Sequence, residues 1–167
     1  LFPSTAVAGE VTAEAAKASG LAPGTPVVCC GGDGVCASVG AGCVKEGVAY
    51  NYIGSSSWIA IATRQPIFDP QRRTFTFAHI VPGMFSPTGT MQAAGASYQW
   101  LRNELAGLET LEAEKQAVSA YEVMNQLLET SPVGAKGLLY LPYLLGERSP
   151  RWNPNAKAAF IGLKMEH

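Results

Sequence analysis

The chain has 167 residues, with 12 Lys and Arg against 13 Asp and Glu, for a formal net charge of −1. Apolar residues make up 47% and charged residues 15%, so a sizeable core can form and general disorder is disfavoured. The lack of a basic excess argues against nucleic-acid binding, and no apolar run reaches the roughly 18 residues of a membrane span. We therefore expect a soluble protein with no nucleic-acid or membrane partner.

Four cysteines lie close together, but neither CxxC spacing nor a neighbouring histidine supports a zinc site. The two histidines, His79 and His167, have no partner at metal-binding or catalytic spacing, so we predict no metal site and interpret His79 as a strand residue. The sequence predicts buried, reduced thiols that behave as small apolar side chains, and reduced thiols indicate a cytoplasmic location. The cysteines are Cys29, Cys30, Cys36 and Cys43.

The sequence of the first 45 residues predicts one strand and two helices. Residues 9–19 are rich in Ala and Glu and indicate a helix with Thr12 as its N-cap and Gly20 at its end. Residues 26–30 form a short apolar run typical of a buried parallel strand. Residues 35–43 are almost all small and predict a second helix.

Consecutive strands are predicted next, which places a domain boundary near residues 44–47. Residues 48–53 and 58–63 are rich in β-formers and flank the turn residues 54–57, a pattern that indicates a β-hairpin. A further strand is predicted over 74–81. Two helices follow, the first over 91–106 with Thr88 or Thr90 as its cap and the second over 111–130. Residues 137–141 predict a last strand, and 142–152 are too rich in Pro and charge for regular structure.

Asp33 is the most notable titratable residue, because it lies where a strand ends and a helix begins, between Gly32 and Gly34. A helix N-terminus stabilises a carboxylate, and one exposed at this place can accept a proton from a substrate hydroxyl. An ordinary N-cap aspartate in a tight turn explains the same sequence equally well.

The turn at Gly54, Ser55, Ser56 and Ser57 offers backbone amides and hydroxyls that suit a phosphate, although a plain polar hairpin tip has the same composition. No Walker A loop and no GxGxxG motif occurs in the sequence. On the predicted helix over 91–106, Gly95 and Gln99 are four residues apart and share a face. The glycine allows close approach of either a ligand or a neighbouring helix.

Taken in order, five segments of the sequence resemble the FGGY family of carbohydrate kinases, most closely its xylulose kinase branch. The resemblance covers the whole chain but only the middle of the family's much longer members. The segments are GEVTAEAAKASGLAPGTPVV, CCGGDGVCASVGAGCVKEG, YIGSSSWIAIAT, GTMQAAGASYQWLRNEL and LYLPYLLGERSPRWNPNAKAAFIGL.

The resemblance implies site residues. Asp33 matches the family's catalytic base, carried on a substrate loop with Gly31, Gly32 and Gly34. Gly54, Ser55 and Ser56 match the turn that meets the ATP phosphates, with Ser55 replacing the usual threonine. Gly95 and Gln99 match helix positions that line the nucleotide site. ATP and Mg²⁺ are the implied cosubstrate and cofactor.

The implied fold class is α/β, specifically a partial actin-like or ribonuclease H-like ATPase fold. Residues 1–45 would end the first, sugar-binding domain, and residues 46–167 would begin the second, ATP-binding domain.

The implied reaction converts D-xylulose into xylulose 5-phosphate, with gluconate, glycerol or another polyol as alternative substrates. Family analogy also allows a homodimer. Because the family's first strand–turn and its adenine-binding motifs are absent, we expect the isolated chain to be inactive, and a non-catalytic binding or structural module stays open as a third interpretation.

Overall fold

The computed structural model describes residues 2–167 and contains both helices and strands. The strands are β1 (Val7–Glu10), β2 (Pro26–Val28), β3 (Ala49–Ile53), β4 (Ser57–Ile61), β5 (Phe75–Ala78), β6 (Phe85–Met91), β7 (Leu139–Leu141) and β8 (Ala159–Ile161). The α-helices are α1 (Ala13–Ser19), α2 (Asp33–Gly40), α3 (Gly95–Glu104), α4 (Gly107–Gln116) and α5 (Ala120–Thr130), and a 3₁₀ turn covers Ala135–Gly137.

Helix α1 begins and ends at the residues that the sequence predicts. The Thr12 hydroxyl accepts a hydrogen bond from the Ala15 amide at 3.1 Å. At the other end Gly20 adopts a left-handed conformation with φ of 76°, and its amide donates to the Ala16 carbonyl. Both ends therefore follow from local sequence chemistry.

Strand β2 differs from the buried parallel strand predicted over 26–30. It is only three residues long, pairs antiparallel with β1, and leaves Val27 and Val28 about half exposed. The sequence could not reveal β1 as its partner, because pairing between distant segments depends on tertiary structure rather than on an apolar run. The expected burial and orientation of this strand were both wrong.

The predicted hairpin is present as β3 and β4, which lie in a four-stranded sheet of order β3-β4-β6-β5. Strand β6 was not predicted, and its last residue, Met91, is the first residue of the helix predicted over 91–106. Thr88 lies in β6 opposite Phe75 and does not cap a helix, and Thr90 also belongs to the strand. The strand continues to Met91, and α3 therefore begins only at Gly95.

The helix predicted over 111–130 is two helices. Ala117 has a left-handed φ of 55° and ends α4. Ser119 then starts α5 through a capping box, in which its hydroxyl accepts from the backbone and the Glu122 carboxylate accepts from the Ser119 amide at 3.2 Å. This Ser-x-x-Glu pattern is a helix-start signal that the longer apolar periodicity concealed. Strand β8 was not predicted at all, because it depends on pairing with β7.

Contacts divide the chain into two compact units, one built from residues up to Asn51 with Ile59–Gly89 and the other from Tyr52–Trp58 with Thr90–His167. The core of the first unit packs Cys43, Ala62 and Met84 with Tyr50 and Val81. Within residues 2–167, no helix combines the length and the apolar character that crossing a membrane requires.

His79 follows β5 directly, and its side chain forms hydrogen bonds within the first unit. The ring is 7% exposed, its Nδ1 accepts from the Val81 amide at 3.0 Å, and its Nε2 lies 2.9 Å from the Cys43 carbonyl. Because Nδ1 accepts, the ring proton is on Nε2 and is donated to that carbonyl. His79 is thus a structural residue that joins the turn after β5 to the segment after α2.

Replacing His79 by Leu is expected to destabilise the full-length protein by about 1–3 kcal/mol, because a buried carbonyl and a buried amide lose their partner. His79→Gln keeps a donor near the Nε2 position and should recover part of the loss. Thermal denaturation with amide exchange at Val81 measures both effects. The control is His167→Leu, an exposed position expected to change stability by less than about 0.5 kcal/mol. Equal effects of the two leucine variants would contradict the role assigned to His79.

Candidate functional site

Asp33 is the first residue of α2, and the residue that caps this helix is Gly32, with φ of −63° and ψ of 156°. The Asp33 carboxylate is exposed, and its Oδ1 accepts from the amide of the next residue, Gly34, at 2.8 Å. The alternative of an ordinary N-cap aspartate is therefore wrong. The structure instead presents the carboxylate to solvent at the positive end of the helix.

The glycines before Asp33 differ in their surroundings. A Cβ at Gly31 would lie 3.1 Å from Cγ1 of Ile80 and 3.2 Å from Cγ2 of Val35, whereas a Cβ at Gly32 would meet nothing within 4 Å. Gly31 is thus needed for tight packing of the loop against the first unit. Gly32 leaves open space beside Asp33, which a ligand can approach.

Two thiols bracket this loop, contrary to the prediction that all four cysteines are buried. Only Cys43 is buried, while Cys29 and Cys30 are exposed and Cys36 is intermediate. The Cys30 and Cys36 sulfurs are 3.6 Å apart, and the Cys36 thiol donates to the Gly31 carbonyl at 3.3 Å. The hydrogen bond between Cys36 and Cys30, together with partial desolvation, raises the pKa of the Cys36 thiol. The prediction was wrong because β2 lies on the surface, so Cys29 and Cys30, which directly follow this strand, are exposed as well.

In the second unit, the turn between β3 and β4 rests on the first amides of α3. The Gly54 carbonyl accepts from the Gly95 amide at 2.8 Å, and the Ser55 carbonyl accepts from the amides of Ala94 and Ala96 at 2.9 and 3.0 Å. These bonds satisfy donors that a helix N-terminus otherwise leaves unpaired. The turn is therefore held in place by the start of the helix.

This contact fixes the direction of the turn amides. The carbonyl and amide of a trans peptide point in opposite directions, and both peptide bonds that follow Gly54 and Ser55 are trans. Since the two carbonyls point at α3, the Ser55 and Ser56 amides point away from it. Two consecutive amides that face away from the helix are donors of the kind that can bind an anion such as phosphate.

Gly95 is glycine because of this contact. A Cβ at Gly95 would lie only 2.5 Å from the Gly54 carbonyl oxygen, a distance that the backbone cannot accommodate without moving. The sequence left either a ligand or a neighbouring helix as the reason for this glycine, whereas in the structure the group that lies against it is the hairpin turn. A Cβ at Gly54 would meet the ring of Tyr52, which stacks on Trp58 with centroids 4.2 Å apart.

Gln99 is exposed one turn further along α3, on the side of the helix that carries Gly95. Neighbouring positions anchor α3 to α5, since the Tyr98 hydroxyl donates to Asn125 at 2.9 Å and the Arg102 guanidinium lies 4.9 Å from the Tyr121 ring centroid. The helix is therefore fixed while the Gln99 amide stays available to a ligand.

A second concave feature of this unit was missed by sequence reasoning. A cavity of about 490 Å³ is bordered by α3, the end of β6, β7 and β8, with an almost wholly apolar lining that includes Tyr98, Trp100, Leu101, Tyr140 and Phe160. The segments meet only through tertiary structure, and the aromatic residues were the only signal. Its lining suits an apolar group and not a sugar or phosphate.

The sequence-predicted site residues fall into two groups, one in each unit. Asp33 and its glycines belong to the first unit, and Gly54, Ser55, Ser56, Gly95 and Gln99 belong to the second. Within the described residues, no three His, Cys, Asp or Glu side chains come together in a group that could hold a metal ion.

The model of the FGGY family of carbohydrate kinases, C-terminal domain, matches residues 49–167. A gluconokinase of Bacillus licheniformis is 35% identical over all of this chain and 32% of its own length. A xylulose kinase of Staphylococcus epidermidis is 33% identical, with the same coverage of both chains. The chain thus spans about a third of the length of these relatives.

A solved structure agrees with the sequence matches. The xylulose kinase from Rhodospirillum rubrum superimposes with a TM-score of 0.81 at 35% identity, over 99% of this chain and 31% of that one. The fold is therefore α/β and part of the actin-like ATPase fold, as predicted. The chain belongs to the FGGY family of carbohydrate kinases.

Gly95→Ala is expected to destabilise the full-length protein by about 1–3 kcal/mol, because the new methyl group overlaps the Gly54 backbone. The matched control is Gly107→Ala at the start of α4, where a Cβ meets nothing within 4 Å and helix propensity predicts a gain of up to about 1 kcal/mol. Thermal denaturation of the two variants measures these changes in stability. Indistinguishable results for the two variants would refute the proposed contact.

Proposed function

We propose that this chain forms part of an ATP-dependent sugar kinase, with Asp33 as the catalytic base and Gly54, Ser55 and Ser56 as the phosphate-binding turn. The observation that carries the proposal is the turn geometry, in which α3 holds two carbonyls and thereby directs two successive amides outward. Membership of the FGGY family supports a carbohydrate substrate.

In this proposal, Asp33 acts as a base on the sugar substrate. Its exposed carboxylate accepts the proton of the substrate hydroxyl as the hydroxyl oxygen attacks the γ-phosphorus of ATP, and ADP leaves with the electrons of the bond that breaks. Gly31, Gly32 and Gly34 form the loop that carries this base. The space beside Gly32 leaves room for the sugar.

The turn and α3 act on the nucleotide. The Ser55 and Ser56 amides donate to phosphate oxygens, and α3 lines the nucleotide site with the surface that carries Gly95 and Gln99. Charge stabilisation and positioning by such fixed donors account for most of the catalysis in phosphoryl transfer. Mg²⁺ is the cation that usually accompanies ATP, but the described residues provide no ligand set for it, so no step is assigned to it.

Xylulose is the proposed substrate, with xylulose 5-phosphate as the product. Support comes from the xylulose kinases of Staphylococcus epidermidis and Rhodospirillum rubrum. Gluconate is the second candidate, because the gluconokinase of Bacillus licheniformis is similar to this chain to the same degree. Glycerol and other polyols are weaker alternatives.

The proposal assigns residues 1–45 to the end of a first, sugar-binding domain and residues 46–167 to the start of a second, ATP-binding domain. Catalysis then needs further parts of both domains, so the isolated chain is inactive. A cytoplasmic location is proposed from the free thiols, which a reducing compartment preserves.

Asp33→Asn in the full-length protein is expected to lower kcat by about 10²- to 10⁴-fold, because the amide cannot take up the proton. The KM for ATP should change little. Glu14→Gln is the matched control, since Glu14 is likewise an acidic residue in the first turn of a surface helix and should leave kcat unchanged. A coupled ADP-release assay measures both. Wild-type turnover of the Asn variant would exclude Asp33 as the base.

A panel of substrates tests the specificity. Xylulose should give the highest kcat/KM among xylulose, gluconate and glycerol when ADP release is followed with the full-length protein. The isolated chain, assayed in parallel, should phosphorylate none of them. A clear preference for gluconate would transfer the assignment to the second candidate, and turnover by the isolated chain would overturn its proposed inactivity.

A further inference from the structure

Cys30 and Cys36 are the two cysteines nearest to Asp33 in the sequence, one on each side of it. Their sulfurs are 3.6 Å apart, so they are in van der Waals contact and need to approach by about 1.5 Å to reach the bond length of a disulfide. Cys30 is exposed and Cys36 is partly exposed, so a small oxidant can reach them. The kinase chemistry proposed above uses neither thiol.

Different backbone hydrogen bonds hold Cys30 and Cys36 in place. The Cys30 amide donates to the Ser4 carbonyl at 2.8 Å, which ties this residue to the strand end, and the residue has a left-handed φ of 57°. Cys36 lies in the first turns of α2, where its amide donates to the Gly32 carbonyl at 3.0 Å. A bond between the two sulfurs therefore closes a short loop around Gly31, Gly32 and Asp33.

We propose that Cys30 and Cys36 form a reversible disulfide that switches the Asp33 loop between two conformations in response to hydroperoxides. Only the effect of the disulfide on kinase activity rests on the proposed function. Formation of the disulfide itself is independent of that function.

The chemistry requires one hydroperoxide for each disulfide. The Cys30 sulfur attacks the terminal peroxide oxygen, the O–O bond breaks, and Cys30 becomes a sulfenic acid while water, or an alcohol from an organic hydroperoxide, is released. The Cys36 sulfur then attacks the sulfenic sulfur, the S–O bond breaks, and a second water leaves with the Cys36 proton. The two thiols lose two electrons and two hydrogens, and the peroxide is reduced by two electrons.

Geometry and charge assign the order of the two steps. Cys30 is the more exposed thiol, whereas the hydrogen bond between the two thiols and desolvation raise the pKa of Cys36 and reduce its thiolate fraction. Cys30 therefore meets the oxidant first, and Cys36, already in contact with it, resolves the sulfenic acid.

The disulfide changes the loop in two ways. The Cys36 thiol can no longer donate to the Gly31 carbonyl, so this carbonyl loses its partner. The approach of the two sulfurs must also be accommodated by the residues between them, and Asp33 is one of those residues. Since displacements of about 1 Å can cost on the order of 10²-fold in rate, the oxidised form should be the less active kinase.

Peptide mapping of the full-length protein tests the bond directly. Between residues 18 and 45 the only Lys or Arg is Lys45, and the only Asp or Glu is Asp33. Trypsin combined with a protease that cleaves before Asp33 therefore separates residues 18–32, with Cys29 and Cys30, from residues 33–45, with Cys36 and Cys43. After mild treatment with hydrogen peroxide and blocking of free thiols, the two peptides should be linked and should separate on reduction with dithiothreitol.

Single-serine variants identify the partners. Cys29→Ser and Cys43→Ser should still give linked peptides, whereas Cys30→Ser and Cys36→Ser should not. Unlinked peptides in the oxidised wild type, or linkage that persists without Cys30 or Cys36, would overturn the proposal. Because mapping uses the wild type first, poor folding of a variant does not obscure the result.

Activity measurements address the switch. Peroxide should lower the kcat of the wild type and of Cys29→Ser by about tenfold or more, with recovery after dithiothreitol, and should leave Cys36→Ser at its untreated rate. A linked but fully active enzyme would refute the switch while leaving the modification site intact. Loss of the Asp33 assignment would be seen separately, in the kcat of Asp33→Asn.

Discussion

The contact on which the candidate site depends is the one between the β3–β4 turn and the first amides of α3. A helix N-terminus carries unpaired donors, and in this unit the Gly54 and Ser55 carbonyls satisfy three of them. The contact requires the backbones to approach closely, so Gly95 must lack a side chain. Because peptide planes are rigid, the same bonds also orient the outward amides of the turn. One packing requirement thus produces both the local stability and the proposed phosphate site.

Small residues also determine the structure of the Asp33 loop. Gly31 is confined by Ile80 and Val35, whereas Gly32 borders open space, so one glycine fastens the loop and the next leaves room for a ligand. The helix behind Asp33 is held by the Ser38 hydroxyl, which donates to the Gly34 carbonyl at 2.9 Å. The Cys36 thiol adds a weak donor to the Gly31 carbonyl. The loop is therefore held by several weak contacts, a condition in which a change at a sulfur can displace it.

The apolar surface of the chain agrees with its low content of charged residues. Val27 and Val28 on β2 are about half exposed, and Leu108 on α4 is 80% exposed. The apolar cavity beside α3 adds to this surface. Exposed apolar side chains therefore occur in both units.

The amino-acid sequence by itself determined the elements whose signals are local. The cap at Thr12, the glycine stop at Gly20, the hairpin around Gly54 and the position of Asp33 at a helix start all depend on neighbouring residues. Tertiary structure decided what depends on distant partners: the antiparallel pairing of β2, the extension of β6 over Thr88 and Thr90, and the existence of β8. It also decided why Gly95 is glycine, since the obstructing oxygen belongs to a residue 41 positions earlier. Capping and turn chemistry act over a few residues, whereas strand pairing and close backbone contacts arise only once the chain has folded.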